Sequence, residues 1–83
     1  MIKVLFFGRF RDELKCSGVE VEAADLDSVN DLRDKLISMH TAKWQDVLTA
    51  TNVIIAVNQK IVDASYPVTA GDEVAFYPPV TGG

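Results

Sequence analysis

The chain has 83 residues, 48% hydrophobic and 24% charged, with a net charge of −4. A chain of this length makes one domain with a thin core, burying roughly 60% of the surface its unfolded form exposes, and has no room for a deep internal active site. The acidic balance argues against nucleic acid, whose phosphates demand basic surfaces, and a lone cysteine, Cys16, excludes an internal disulfide and suits a reducing cytoplasm.

The opening run Met1-Ile2-Lys3-Val4-Leu5-Phe6-Phe7 stops at Gly8-Arg9. It is too short to cross a membrane and carries no cleavage-site pattern, so it is expected to be a strand. Ile2, Val4 and Phe6 share one face; Lys3, Leu5 and Phe7 share the wetter one. Phe10 and Leu14, four apart, predict a short helix over 9–15, ending near Ser17-Gly18. Val19, Val21 and Ala23 alternate with Glu20 and Glu22, the pattern of a half-buried strand. Ser28 is a good N-cap for the main helix, with Asp31 completing a weakened capping box. Val29, Leu32, Leu36 and Met39 form its apolar stripe, flanked by Ile37, while Asn30, Asp31, Asp34 and Lys35 face solvent. Trp44, Val47 and Leu48 predict a further helical turn or two lying over the edge of the core.

Residues 53–57 are continuously apolar and read as a central strand buried on both sides. Asn58-Gln59-Lys60 turns the chain into a short strand at Ile61-Val62. Tyr66-Pro67-Val68 and Ala70-Gly71-Asp72 are turns, and 73–77 form the last strand, with Val74 and Phe76 inward and Ala75 and Tyr77 outward. Pro78 stops it. One long helix can cover only one face of a four- or five-stranded sheet, so the fold class is α+β with two layers, and the second sheet face is left open. If the first and last strands are neighbours, Phe7 and Tyr77 stand together on that open face, and Ile61 joins them. A contiguous cluster of this kind marks a protein interface; the alternative is that the two rings simply cap the sheet edge.

The sequence divides into a domain over 1–77 and an extended tail over 78–83, Pro78-Pro79-Val80-Thr81-Gly82-Gly83. The prolines fix φ and stiffen the base of the tail. Gly82 and Gly83 have no Cβ, so the terminal carboxylate can enter a narrow active site. Fully extended, the tail reaches roughly 20 Å. A glycine pair at a terminus also arises by chance, and it is the proline base and the strand before it that give this one weight.

The stretch from Ala70 to Gly83, with its Phe-Tyr-Pro-Pro-Val-Thr-Gly-Gly ending, resembles the C terminus of the MoaD-type sulfur carriers, the small subunits of molybdopterin synthase. The opening strand, the helix around Val29 to Leu36 and the Ala56-Val57-Asn58-Gln59 turn are similar to that family as well; the segments 9–18 and 40–51 match less distinctly. The resemblance implies a ubiquitin-like β-grasp fold with a mixed sheet. It implies that an adenylyltransferase resembling ubiquitin-activating enzymes, using ATP and Mg, adenylates Gly83, and that sulfur from a persulfide then converts it to a thiocarboxylate. It further implies a large catalytic subunit that binds the cyclic pyranopterin precursor and receives the tail, so that two sulfur transfers build the dithiolene, in a heterotetramer with two copies of each subunit. Pro78, Pro79, Val80, Thr81 and Gly82 would be read by the partners' tail channels, and Phe7, Ile61 and Tyr77 would form the docking patch. The chain would bind no cofactor or metal itself and would not be catalytic alone. Carriers for thiamine thiazole synthesis or tRNA thiolation, a protein modifier conjugated through Gly83, and an interaction domain with an inert tail are the alternatives.

Other residue types offer less. Cys16 lacks a histidine or CxxC partner to lower its pKa, so an inert thiol is expected rather than a persulfide carrier. His40 has no second ligand at metal-binding spacing, Trp44 is expected to pack, and Arg9, Arg11 and Lys60 are either rim contacts or solvated charges. With no paired carboxylates, phosphate loop or nucleophile elbow, independent catalysis is not expected.

Overall fold

The computed structural model describes residues 1–79. The alternation at the N terminus produces β1 (Ile2–Phe6), with Ile2, Val4 and Phe6 buried and Lys3 exposed. There follow α1 (Arg9–Leu14), β2 (Gly18–Val21), α2 (Val29–Met39), α3 (Ala42–Leu48), β3 (Ile54–Val57), β4 (Lys60–Val62) and β5 (Glu73–Tyr77). The five strands form one sheet in the order β2-β1-β5-β3-β4, parallel between β1 and β5 and antiparallel elsewhere. This is the expected two-layer α+β arrangement with a mixed sheet. No helix among the described residues is long and apolar enough to cross a membrane.

The main helix starts as its sequence dictates. The Ser28 hydroxyl accepts from the Asp31 N–H at 3.4 Å, and the Asp31 carboxylate accepts from the Ser28 N–H at 3.2 Å and the Asp27 N–H at 2.9 Å. The capping box is complete, although aspartate stands where the longer glutamate is usual. Two further N–H groups of the first turn, those of Val29 and Asn30, donate to the carbonyls of Tyr66 and Ala64, so the 63–68 loop satisfies donors that no helix can satisfy for itself. Val29, Leu32 and Leu36 are fully buried, facing Val4, Phe6, Val57, Val74 and Phe76 of the sheet.

Phe6 lies at the centre of this core. Its ring stacks on Phe76 at 6.0 Å and meets Trp44 edge-on at 5.2 Å. Trp44 is buried, so α3 does lie over the edge of the core, packing against both α1 and α2.

Four sequence expectations need correction. Met39 is 55% exposed despite its place in the apolar stripe, because the last turn of α2 runs into the corner at His40, where nothing covers it. The strand over 53–57 begins at Ile54 and lies inside the sheet between β5 and β4; it is not buried on both sides throughout, since Ile54 is half-buried on the face that no helix covers and Val53, just before the strand, is half-buried against the core. The first helix ends at Leu14, where Lys15 adopts the left-handed conformation (φ 53°) that a C-terminal glycine would ordinarily supply. Gly18 has a different task. It opens β2 where a Cβ would come within 2.7 Å of the Val4 carbonyl oxygen. Lastly, the turn after β3 is Asn58-Gln59, both with positive φ, and Lys60 already belongs to β4; a two-residue link of this hand matches the twist of the strands it joins.

Candidate functional site

The open face of the sheet is set by register. Continuing the parallel pairing one step past Phe6↔Phe76 brings Phe7 beside Tyr77. The Phe7 N–H donates to the Phe76 carbonyl at 3.2 Å, which holds the extra residue in line with the sheet. The two rings stack at 4.7 Å with planes 6° apart. Ile54 stands opposite Tyr77 on the next strand, and Ala75, Ala56 and Ile61 lie in one row across β5, β3 and β4. The two alanines in the middle of the row leave a shallow basin between the aromatic pair on one side and Ile61, 75% exposed, on the other. The basin has a volume of about 510 Å³, and Phe7, Ile54, Ile61, Tyr77 and Pro78 all line it. Phe7, Ile61 and Tyr77 are therefore brought together on one surface, as the alternation predicts.

Pro78 belongs to the same surface, which puts the base of the tail at the rim of the basin. Pro78 and Pro79 are half-buried. Val80, Thr81, Gly82 and Gly83 lie outside the described residues. Gly8 is a contributor that sequence reasoning missed. It takes φ 59°, and a Cβ there would stand 3.0 Å from the Pro78 ring, so the glycine makes room for the proline across the basin edge. A glycine between an apolar strand and a helix was legible only as the end of the strand. Ile54 was missed as well, because a run of five apolar residues shows no phase and gives no sign that one of them faces outward.

No described residue lining the basin is acidic or basic. Among the described residues no cluster of three or more His, Cys, Asp or Glu could hold a metal. Cys16 is half-buried with its thiol directed at the Gly18 carbonyl, 3.3 Å away. His40 stacks on Trp44 at 3.8 Å. Arg9 lies over the Phe10 ring at 5.9 Å and Lys60 over Tyr66 at 5.5 Å; these cations cover their own domain's aromatic rings.

Comparison with known proteins places this surface in context. The ThiS family model matches residues 4–83. The chain is 45% identical, over the whole of both proteins, to the molybdopterin synthase sulfur carrier subunit of Escherichia coli (strain K12). Among solved structures, SAMP1 from Haloferax volcanii superposes with a TM-score of 0.84 at 22% identity, covering 99% of this chain and 98% of that one. A chain from the complex of subunits 1 and 2 of the molybdopterin-converting factor of Helicobacter pylori superposes with a TM-score of 0.64 at 24% identity, covering 99% and 97%. A five-stranded mixed sheet crossed by one main helix, matched over its full length in sequence and shape, shows that the chain belongs to the ThiS family, among its MoaD-type members with the ubiquitin-like β-grasp fold.

Proposed function

We propose that this chain is the sulfur-carrying small subunit of a molybdopterin synthase, with Gly83 as its working end. The observation that carries the reading is the placement of Pro78, the first residue of the tail, against the apolar basin of Phe7, Tyr77 and Ile61. A partner that docks on the basin receives the tail from its rim. The full-length relative in Escherichia coli supports the same assignment, and the two-subunit complex from Helicobacter pylori supports a large-subunit partner.

The chemistry follows from the carboxylate. Gly83 is unreactive toward sulfur until an oxygen of its carboxylate attacks the α-phosphorus of ATP on an activating enzyme and pyrophosphate leaves. The terminal sulfur of a donor persulfide then attacks the acyl adenylate and AMP departs. A thiol reduces the resulting acyl disulfide and releases the thiocarboxylate. On the large subunit, that sulfur displaces an oxygen substituent on a carbon of the pterin precursor, and water then cleaves the acyl C–S bond, leaving the sulfur on the pterin and returning Gly83 as a carboxylate. The absence of Cβ atoms at Gly82 and Gly83 suits a terminus that has to enter an active site on each of two partners. The prolines reduce the conformational freedom lost when the tail is ordered on binding. The carrier supplies the reacting group, and its partners supply the catalytic residues.

Intact-mass measurement of the chain purified from its native host tests the reading. A species with one terminal oxygen replaced by sulfur is expected. It should disappear when Gly83 is deleted, and molybdopterin synthesis should disappear with it. Lysine-linked conjugates as the main modified species would point to a protein modifier instead.

A further inference from the structure

The middle row of the open face crosses all five strands in register. It runs from Gly18 on β2 through Leu5 on β1, Ala75 on β5 and Ala56 on β3 to Ile61 on β4. In side-chain size the row reads none, large, small, small, large. Its reverse reads large, small, small, large, none. Laid on its own reverse, the row sets every large side chain against a small one or none: Ile61 faces Gly18, Leu5 faces Ala56, and Ala75 faces itself. The surface has matching relief. A groove of about 600 Å³ takes in Leu5 and Gly18. The basin of about 510 Å³ takes in Ala56 and is rimmed by Ile61, which stands out as a knob, 75% exposed.

We propose that the open face takes a second copy of this chain, packed face to face about a twofold axis that runs along β5. Such an axis keeps the strands of the two sheets aligned, one of the two ways in which sheets stack. It also makes the contact isologous, so that association closes at two copies. Ile61 of each copy enters the notch over Gly18 of the other, and Leu5 of each enters the basin over Ala56 of the other. In the row nearer the tail, the same axis lays Phe7 on Ile54 of the other copy and Tyr77 on Tyr77. None of these residues is charged, which keeps the repulsion between two chains of net charge −4 away from the centre of the contact. The third row is the unfavourable one. There Glu73 meets Glu73 across the axis, offset in part by Lys3, its neighbour on β1, which Glu20 flanks on the other side. Arg11, the remaining charged residue of the groove, comes from α1 and stands outside the three rows. Five strands at the usual spacing, each three to five residues long, span roughly 20 Å by 15 Å. That is small beside the ~800 Å² per partner of a standard interface, so the pairing is reversible. While it lasts it covers Phe7, Tyr77 and the Pro78 base of the tail. It goes beyond the carrier reading and does not depend on it.

Sedimentation velocity of the full-length chain from about 10 μM to about 1 mM, beside a thermal melt of each variant, tests the pairing. The wild type should pass from monomer to dimer within that range, where so small an interface titrates. Ile61→Ser removes the knob from an exposed position, leaves the core untouched, and should weaken dimerisation by about tenfold or more. Ala56→Leu sets a second large side chain against Leu5 and should do the same. Leu5→Ala combined with Ala56→Leu exchanges large and small within the row, which stays complementary to its own reverse. The double variant should therefore recover dimerisation to about threefold of wild type. Glu73→Gln removes the like charges at the axis and should tighten it. A wild type that remains monomeric to the top of the range would overturn the proposal. So would an Ile61→Ser variant that dimerises as the wild type does, or a folded double variant no better than Ala56→Leu. None of these results would touch the carrier reading.

Discussion

The Phe7 and Tyr77 rings lie face to face at 4.7 Å, carried by two parallel strands that are 70 positions apart in the sequence. Stacked aromatic rings at the middle of a docking surface behave as anchors, and truncating such an anchor costs about 2 kcal/mol of binding or more, roughly 30-fold in affinity. Phe7→Ala and Tyr77→Ala are each expected to weaken large-subunit binding by that factor. Both rings lie on the open face, away from the core around Phe6, so the cost to the fold should be limited to about 1 kcal/mol for the lost pair. Calorimetric titration beside a thermal melt separates the two effects. Unchanged affinity in either variant would remove that ring from the interface.

The Ser28–Asp31 capping box holds the start of the main helix, α2, over the sheet. Ser28→Ala removes the acceptor for the Asp31 N–H and should cost about 1 kcal/mol. For a domain of this size that lowers the melting temperature by roughly 4–8 °C. Binding to the large subunit should be unchanged, because α2 packs on the face of the sheet opposite to the basin. A melt within a degree of wild type would show that the loop bonds from Tyr66 and Ala64 hold the helix start unaided.

How much of this the sequence reveals depends on the range of the interactions. β5 was legible to the residue, since the Ala70-Gly71-Asp72 turn and Pro78 bound it on both sides. The Phe7–Tyr77 pair was legible because a partial alternation, with Lys3 marking the wetter face, placed each ring on the wetter phase of its strand, and only the adjacency of the two strands had to be supposed. Ile54 was not, because a continuous apolar run shows no face, and the burial of each residue is decided by which side of the sheet a distant helix covers. Gly8 and Gly18 failed for a related reason. Their roles are close approaches to Pro78 and to the Val4 carbonyl, and a non-local contact leaves no local signature. Met39 kept the helical period but not its burial, since periodicity says which way a side chain points and not whether anything is there to meet it.

Asp63 and Ser65 give a pH signature remote from the docking face. The Ser65 hydroxyl donates to the Asp63 carboxylate and the Ser65 N–H does so at 2.9 Å. Chiefly through the hydroxyl, these bonds hold the Asp63 carboxyl below the usual aspartate range. A depressed carboxylate pKa contributes stability above the unfolded value and loses it as pH falls through the folded one. The contribution should therefore be present at neutral pH and vanish in acid, below the ordinary aspartate pKa. Ser65→Ala is expected to move the Asp63 titration upward, read from its carboxyl carbon shift by NMR, and to flatten the acid limb of the stability profile. An unmoved titration would show that the backbone bond alone is responsible.

The Asn58-Gln59 turn is strained by its sequence. Both residues adopt positive φ, 50° and 72°, a region that costs a residue with a side chain roughly 1 kcal/mol or more relative to glycine. Asn58 is compensated. Its side-chain oxygen accepts from the Glu73 N–H and its amide donates to Asp72, each at 3.0 Å, which ties the hairpin to the start of β5. No side-chain hydrogen bond from Gln59 offsets its strain among the described residues, but Gln59 is one of the residues that line the basin. Gln59→Gly converts the link to Asn-Gly, the pairing this turn prefers. It should raise stability by about 0.5–1 kcal/mol, with part of the relief offset by the extra freedom glycine gives the unfolded chain. If Gln59 is retained for the basin rather than for the turn, the same variant should bind the large subunit several-fold more weakly while melting at a higher temperature. Higher stability with unchanged affinity would show that the glutamine takes no part in docking, and lower stability would mean that its side chain supports the hairpin in a way the strain argument omits.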